Sequence, residues 1–162
     1  MALSLAVLLV PILLFVAFCQ ATGTEQTSTM DPGAVWAAAR DADRFPVRVP
    51  QGLPDGWRVT RALTQRGDGG ALTLRVSYET AEGEFAQLVE SDVDAAALLE
   101  GELGGPRTTG GTVDVEGIPW QRHPGRRDGE TTLVRLDGRA TYLVAGSASL
   151  NELRTLAAAL SR

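Results

Sequence analysis

Apolar and polar residues sort this chain into an unbroken greasy opening and a long patterned remainder. Residues Ala2 to Cys19 form an apolar run of 18 interrupted only by Ser4 and Pro11. At 1.5 Å per residue a helix of that length reaches about 27 Å, close to a hydrocarbon core of about 30 Å. In lipid the backbone must satisfy its own hydrogen bonds, so the run predicts a membrane helix over residues 1–20, kinked at Pro11. Two other readings stay open. The small residues Ala21-Thr22-Gly23 would suit a signal peptidase, although the run is long for a signal core and no basic residue precedes it. Cys19 would suit lipidation, although Phe18 stands where a small residue is expected. The missing basic residues predict an upstream in-frame start that encodes an Arg. Residues 21–30, rich in Thr, Ser, Gln and Gly, read as a flexible tether.

From Asp31 the pattern becomes that of an α+β domain over residues 31–162. Asp31-Pro32 signals a helix start, and Val35, Ala38, Ala39 and Ala42 would share its inner face until Phe45-Pro46 ends it. Trp57, Val59 and Leu63 predict a first strand in which Arg61 breaks the alternation. After a loop at Arg66–Gly70, Leu72, Leu74, Val76 and Tyr78 alternate with Thr73, Arg75, Ser77 and Glu79, the signature of a half-buried antiparallel strand. A turn at Ala81-Glu82-Gly83 leads to a strand over Phe85 to Glu90. Ser91-Asp92 would then cap a helix to Leu103 with Ala96, Leu99 and Leu103 inward, stopped by Gly104-Gly105-Pro106.

The second half follows a similar order. Val113 and Val115, then Ile118 and Trp120, form strands around Gly117. Thr132, Val134 and Leu136 form another, and Asp137-Gly138 signals a hairpin into Tyr142 and Val144. Ser149 and Glu152 make a capping box before a helix with Leu153, Leu156, Ala157 and Leu160 on its inner stripe. The expected fold is an N-terminal transmembrane helix followed by an antiparallel sheet of six or seven strands packed with three helices. The parallel between residues 57–103 and 112–161 suggests a duplicated β-β-β-α unit; chance resemblance of two hairpin-plus-helix segments is the alternative.

Charge narrows the function classes. The chain has 15 Arg and no Lys against 20 acidic residues, a net charge of -5, and all of these charges follow residue 24. The basic residues are scattered singly, which argues against nucleic acid. One Cys and one His cannot build a structural zinc site or an internal disulfide. The segment Gly146-Ser147-Ala148-Ser149-Leu150 lacks the spacing of a nucleophile elbow, so Ser149 reads as a cap. His123, beside Arg122, Arg126, Arg127 and Pro124-Gly125, reads as an exposed loop residue. The pairs Glu82/Glu84 and Asp92/Asp94 read as turn and cap residues, not calcium ligands. Trp57, Trp120 and Tyr142 are expected in the core, with an apolar groove as the alternative. No catalytic, cofactor-binding or metal-binding residue is assigned, and no cofactor is expected.

Two successions of residues carry a family resemblance. One is Gly52-Leu53-Pro54-Asp55-Gly56-Trp57, Tyr78-Glu79-Thr80, Gly83-Glu84-Phe85-Ala86-Gln87 and Ser91-Asp92. The other is Trp120, Leu133-Val134-Arg135, Gly138, Gly146 to Leu150 and Glu152-Leu153. Together they resemble the actinobacterial family known as domain of unknown function 4245, which implies a single-pass membrane protein with a C-terminal globular part. More loosely, a hairpin followed by a capped helix is similar to extracytoplasmic sensor domains attached to anti-sigma factors and to lipoprotein-carrier-like folds. The resulting expectation is a non-enzymatic cell-envelope domain anchored in the lipid bilayer through residues 2–19, with an extracytoplasmic C-terminal part that binds a protein or envelope component. A lipid or amphiphile carrier using an apolar groove is the alternative, and a hydrolase the third.

Overall fold

The computed structural model describes residues 31–105 and 109–161. The expected membrane helix and tether lie outside them. Among the described residues no helix is long and apolar enough to cross a membrane. Seven strands form one sheet, all neighbours antiparallel, in the order β1-β2-β3-β7-β6-β5-β4. The strands are β1 (Arg58–Arg66), β2 (Leu72–Glu79), β3 (Phe85–Ser91), β4 (Thr112–Val115), β5 (Ile118–Pro124), β6 (Thr131–Asp137) and β7 (Ala140–Gly146). Three helices accompany them, α1 (Pro32–Asp41), α2 (Ala95–Leu103) and α3 (Leu150–Ala159). This is the α+β fold that the pattern predicts.

The main core lies on one face of the sheet, under α1, α3 and the segment 45–50 that leads from α1 toward β1. Leu74, Leu88, Leu133 and Val144 from the sheet meet Leu153 and Leu156 of α3, all fully buried. The opposite face carries a much smaller cluster, in which Leu98 of α2 covers Val89, Val134 and Leu143. Because Leu88 and Val89 are adjacent in β3, their side chains stand on opposite faces. Thus α2 lies across the sheet from α1 and α3.

That arrangement corrects the duplication idea. β3 and β7 meet antiparallel at the centre of the sheet, so a two-fold relating the halves must run perpendicular to it and leave faces unexchanged. The two helices would then share a face, and they do not. The second half also has an extra edge strand, β4.

Local expectations fared according to how many faces each element buries. In α3, Ser149 Oγ accepts from the Glu152 N–H at 3.3 Å, Glu152 Oε2 accepts from the Ser149 N–H at 2.9 Å, and the whole inner stripe is buried. The Thr80 and Ser149 hydroxyls and the Ser149 N–H hold the Glu152 carboxyl below its usual range. Asp31 caps α1 through the Gly33 N–H at 2.9 Å. The helix, however, buries Val35, Trp36 and Ala39 and leaves Ala38 exposed. An indole removes far more apolar surface from water than a methyl group, so Trp36 sets the roll of the helix.

In β1 a bulge between Val59 and Arg61 moves the alternation by one. Val59 packs toward the core before it and Ala62 after it, which turns Arg61 and Leu63 to the opposite face. The arginine that broke the pattern marked the bulge. The expected cap at Ser91-Asp92 is also displaced. Ser91 Oγ bonds Thr73 Oγ1 and donates to the Leu72 carbonyl, while Asp92 Oδ1 accepts the Leu72 N–H, so β3 continues to Ser91. Asp94 caps α2, accepting from the Ala96 and Ala97 N–H groups at 3.1 Å each. The buried positions of α2 are Leu98 and Leu103, with Ala96 exposed.

β2 is buried on both sides, since Thr73 and Ser77 are buried too. In β6, Leu133 faces the main core opposite Val144, while Thr132 and Val134 face α2's side and Leu136 is 58% exposed. Central strands covered on two faces lose the contrast that alternation relies on. The β6–β7 turn is Gly138-Arg139, one residue later than expected, because Asp137 pairs with Ala140.

Candidate functional site

The two faces of the sheet present different chemistry. On the core side, segment 45–50 crosses the strands as a strap. Phe45 is buried, Val47 and Val49 pack on the core, and Gln51 N–H donates to the Ala159 carbonyl at 3.0 Å. Beneath the strap, Glu90 of β3 stands directly opposite Tyr142 of β7, both fully buried. Glu90 Oε2 accepts the Arg48 backbone N–H at 2.9 Å, and Tyr142 Oη donates to the Pro46 carbonyl at 2.7 Å. The Arg48 guanidinium lies 5.5 Å from the Tyr142 ring centroid, donating to Asp137 Oδ2 at 2.9 Å and the Leu160 carbonyl at 3.2 Å.

Burial pushes the Glu90 carboxyl up to about 8, against the opposing pull of the Arg48 N–H and of the Arg48 and Arg40 charges. Burial, with the Glu90 charge added, also raises the Tyr78 hydroxyl, and burial raises that of Tyr142. Among the described residues Glu90 Oε1 and Tyr78 Oη have no hydrogen-bond partner. This cluster pins the strap over the sheet and closes that face. Sequence reasoning missed it, although Ala86, Leu88 and Glu90 share one face of a strand by simple alternation.

The other face is open. α2 is nine residues long and leaves shallow clefts of about 460, 240 and 440 Å³ around it. They are continuous. The first and second share Phe85 and Gln87, the first and third share Gln65 and Arg75, and the second and third share Glu102 and Arg126. The result is a trough running from β1 across β2, β3 and β7 to β6, beside the C-terminal end of α2. Val89, Leu143 and Ala145 form part of its floor, and Phe85 stands in it 40% exposed. Leu63, the residue that the bulge turns away from the core, lines its β1 end.

Four arginines and two glutamates border the trough. Arg75 pairs with Glu102, and Arg127 pairs with Glu130 at 3.5 Å. Arg61 and Arg126 are exposed and have no carboxylate within salt-bridge distance among the described residues.

The residues weighed for chemistry in the sequence are not brought together. Ser147 Oγ donates to Glu84 Oε2 at 2.8 Å and accepts from the Phe85 N–H at 3.3 Å. Ser149 is the helix cap, Asp94 caps α2, and Asp92 ties Arg44 to the start of β2. His123 is not a loop residue. It lies in β5, opposite Thr132, only 6% exposed and with neither ring nitrogen hydrogen-bonded among the described residues. A neighbouring Pro-Gly pair suggested a turn, whereas the strand runs on through Pro124. Among the described residues no group of three or more metal-ligating side chains occurs. Trp120 is fully buried in the main core, and Trp57 packs edge-on to Tyr78 with ring centroids 6.1 Å apart. Trp120 and Tyr142 lie in the core and Trp57 packs at its edge; none of the three lines the clefts described above.

Among solved structures, the chain is similar to MucB in its crystal structure in complex with MucA(peri), at 13% identity and a TM-score of 0.41, over 72% of this chain and 36% of that one. The described fold therefore spans little more than a third of that chain's length. No curated protein matches. The sequence itself matches a family pattern over residues 1–160, and the chain thereby belongs to the family described as protein of unknown function (DUF4245).

Proposed function

We propose that this protein is a non-enzymatic cell-envelope domain, anchored in the membrane through residues 2–19 with its globular part outside the cytoplasm, and that it binds a protein segment through the open face of its sheet. The observation that carries this reading is the asymmetry of cover: one face is sealed by two helices and a pinned strap, while the other has a single short helix beside a continuous trough. The two serines weighed as nucleophiles are engaged in structural bonds, Ser147 on Glu84 and Ser149 on Glu152. An amphiphile in the same trough is the second reading, favoured by the exposed ring of Phe85.

Crosslinking the intact chain in its native membranes and purifying it should recover one discrete protein, and external protease should digest the globular domain in intact cells. A domain protected until the membrane is opened would refute the placement. Recovery of lipid adducts without protein would favour the second reading.

A further inference from the structure

Resting on that reading, we infer that the trough accepts an extended acidic peptide segment laid across the strands, with carboxylates meeting Arg61 and Arg126 and an apolar residue on Phe85. The charge distribution points there. The chain as a whole carries a net charge of -5, yet four arginines and only two glutamates border the trough, and both glutamates are neutralised by arginine partners. The two guanidinium groups left over are the local surplus. Arg61 is held on the open face by the bulge in β1, and Arg126 lies against Gly104 at the C-terminal cap of α2.

The spacing fits an extended chain. From β1 to β6 the sheet steps through four strand intervals, about 19 Å at about 4.8 Å each. At about 3.3 Å per residue that is a stretch of roughly six residues. Apolar and polar side chains alternate along it, the exposed ring of Phe85 and the half-buried Leu63 beside Gln87 and Gln65. A peptide alternating acidic and apolar residues would satisfy both. A nucleic acid would not, since two uncommitted arginines are too few for a backbone charged every ~1.7 Å.

The test uses the full chain in nanodiscs and a fluorescein-labelled eight-residue peptide alternating glutamate with valine. Its controls are the glutamine-valine counterpart, anionic phosphatidylglycerol vesicles, and the variants Arg61→Glu, Arg126→Glu and Phe85→Ala. By anisotropy at low salt, the acidic peptide should bind at least about tenfold tighter than the glutamine peptide, and the preference should fade at 0.5 M salt. Each charge reversal should weaken the acidic peptide at least about fivefold while leaving the thermal midpoint unchanged, because both residues are exposed. Phe85→Ala should weaken both peptides. Equal binding of the two peptides, or indifference to both reversals, overturns the acidic chemistry. Absence of acidic-peptide binding overturns it too, as does vesicle binding that the same reversals abolish. The broader reading fails separately, when a photocrosslinker at Phe85 captures no protein in native membranes.

Discussion

β3 supplies both faces of this molecule from alternate positions, and the two faces were built to different ends. Ala86, Leu88 and Glu90 point into a core closed by α1, α3 and the strap, whereas Phe85, Gln87 and Val89 point to a face that α2 only partly covers. The closed face carries the stability. It buries most of the large apolar side chains and can therefore hold a carboxyl group away from water. The open face contributes a small cluster and spends the rest of its area on exposed arginines, glutamines and one half-exposed ring. A core closed on one side of a sheet is enough to hold the fold while much of the other side stays exposed.

The seam shared by both faces should be the most sensitive point. A Cβ at Gly146 would stand 2.1 Å from the Phe85 carbonyl oxygen and 2.9 Å from its carbon, so the β3–β7 pairing must open to admit one. Gly146→Ala should destabilise by about 3–5 kcal/mol in chemical denaturation. A loss below about 1 kcal/mol would show that the seam yields readily.

Truncations should separate the faces. Leu156→Ala, in the closed core, should cost about 2–5 kcal/mol. Phe85→Ala, on the open face, should cost well under that and act on binding instead. Equal costs would erase the distinction between the two sides.

Glu90 gives the closed face a pH signature. Its carboxyl titrates near 8 in the folded chain and near 4.5 when unfolded, so between those values the folded state holds a proton that the unfolded state has lost. Its contribution to stability is therefore fully present below about pH 4.5 and is lost as pH rises through 8, over a range on the order of 3–5 kcal/mol. Arg48, Arg40, Tyr78, Tyr142 and Asp137 surround it or act on it. Glu90→Gln should keep an acceptor for the Arg48 N–H and flatten that slope in denaturation curves taken from pH 5 to 9. An unchanged slope would assign the effect elsewhere. The smallest effect belongs to the cap of α3, where Ser149→Ala should cost about 1 kcal/mol.

How much was legible in the sequence follows the same division. The α3 stripe and its capping box stand in the pattern because that helix buries one clear face, and Leu72, Leu74, Val76 and Tyr78 of β2 are buried as their alternation predicts, although Thr73 and Ser77 on its other face are buried too. What escaped did so for local reasons. The bulge at Thr60 reversed β1, Trp36 overrode a stripe of alanines in α1, and Ser91 and Asp92 served the strand end instead of the helix. The candidate site was only half visible. Trp57, Trp120 and Tyr142 are the lining that an apolar groove would have by the sequence, but Trp120 and Tyr142 lie in the core and Trp57 packs at its edge. Arg61 and Leu63 stood in plain view as an irregularity, and only the tertiary pairing of β1 shows where they point.

The division between the faces can be tested directly by placing a photocrosslinking amino acid at Leu63 or Phe85 on the open face, and at Gln51 or Leu53 beside the strap, in the intact chain in its native membrane. Adducts to one discrete protein at Leu63 and Phe85, with none at Gln51 and Leu53, are the predicted result. Equal capture from both sides, or capture only beside the strap, would contradict it.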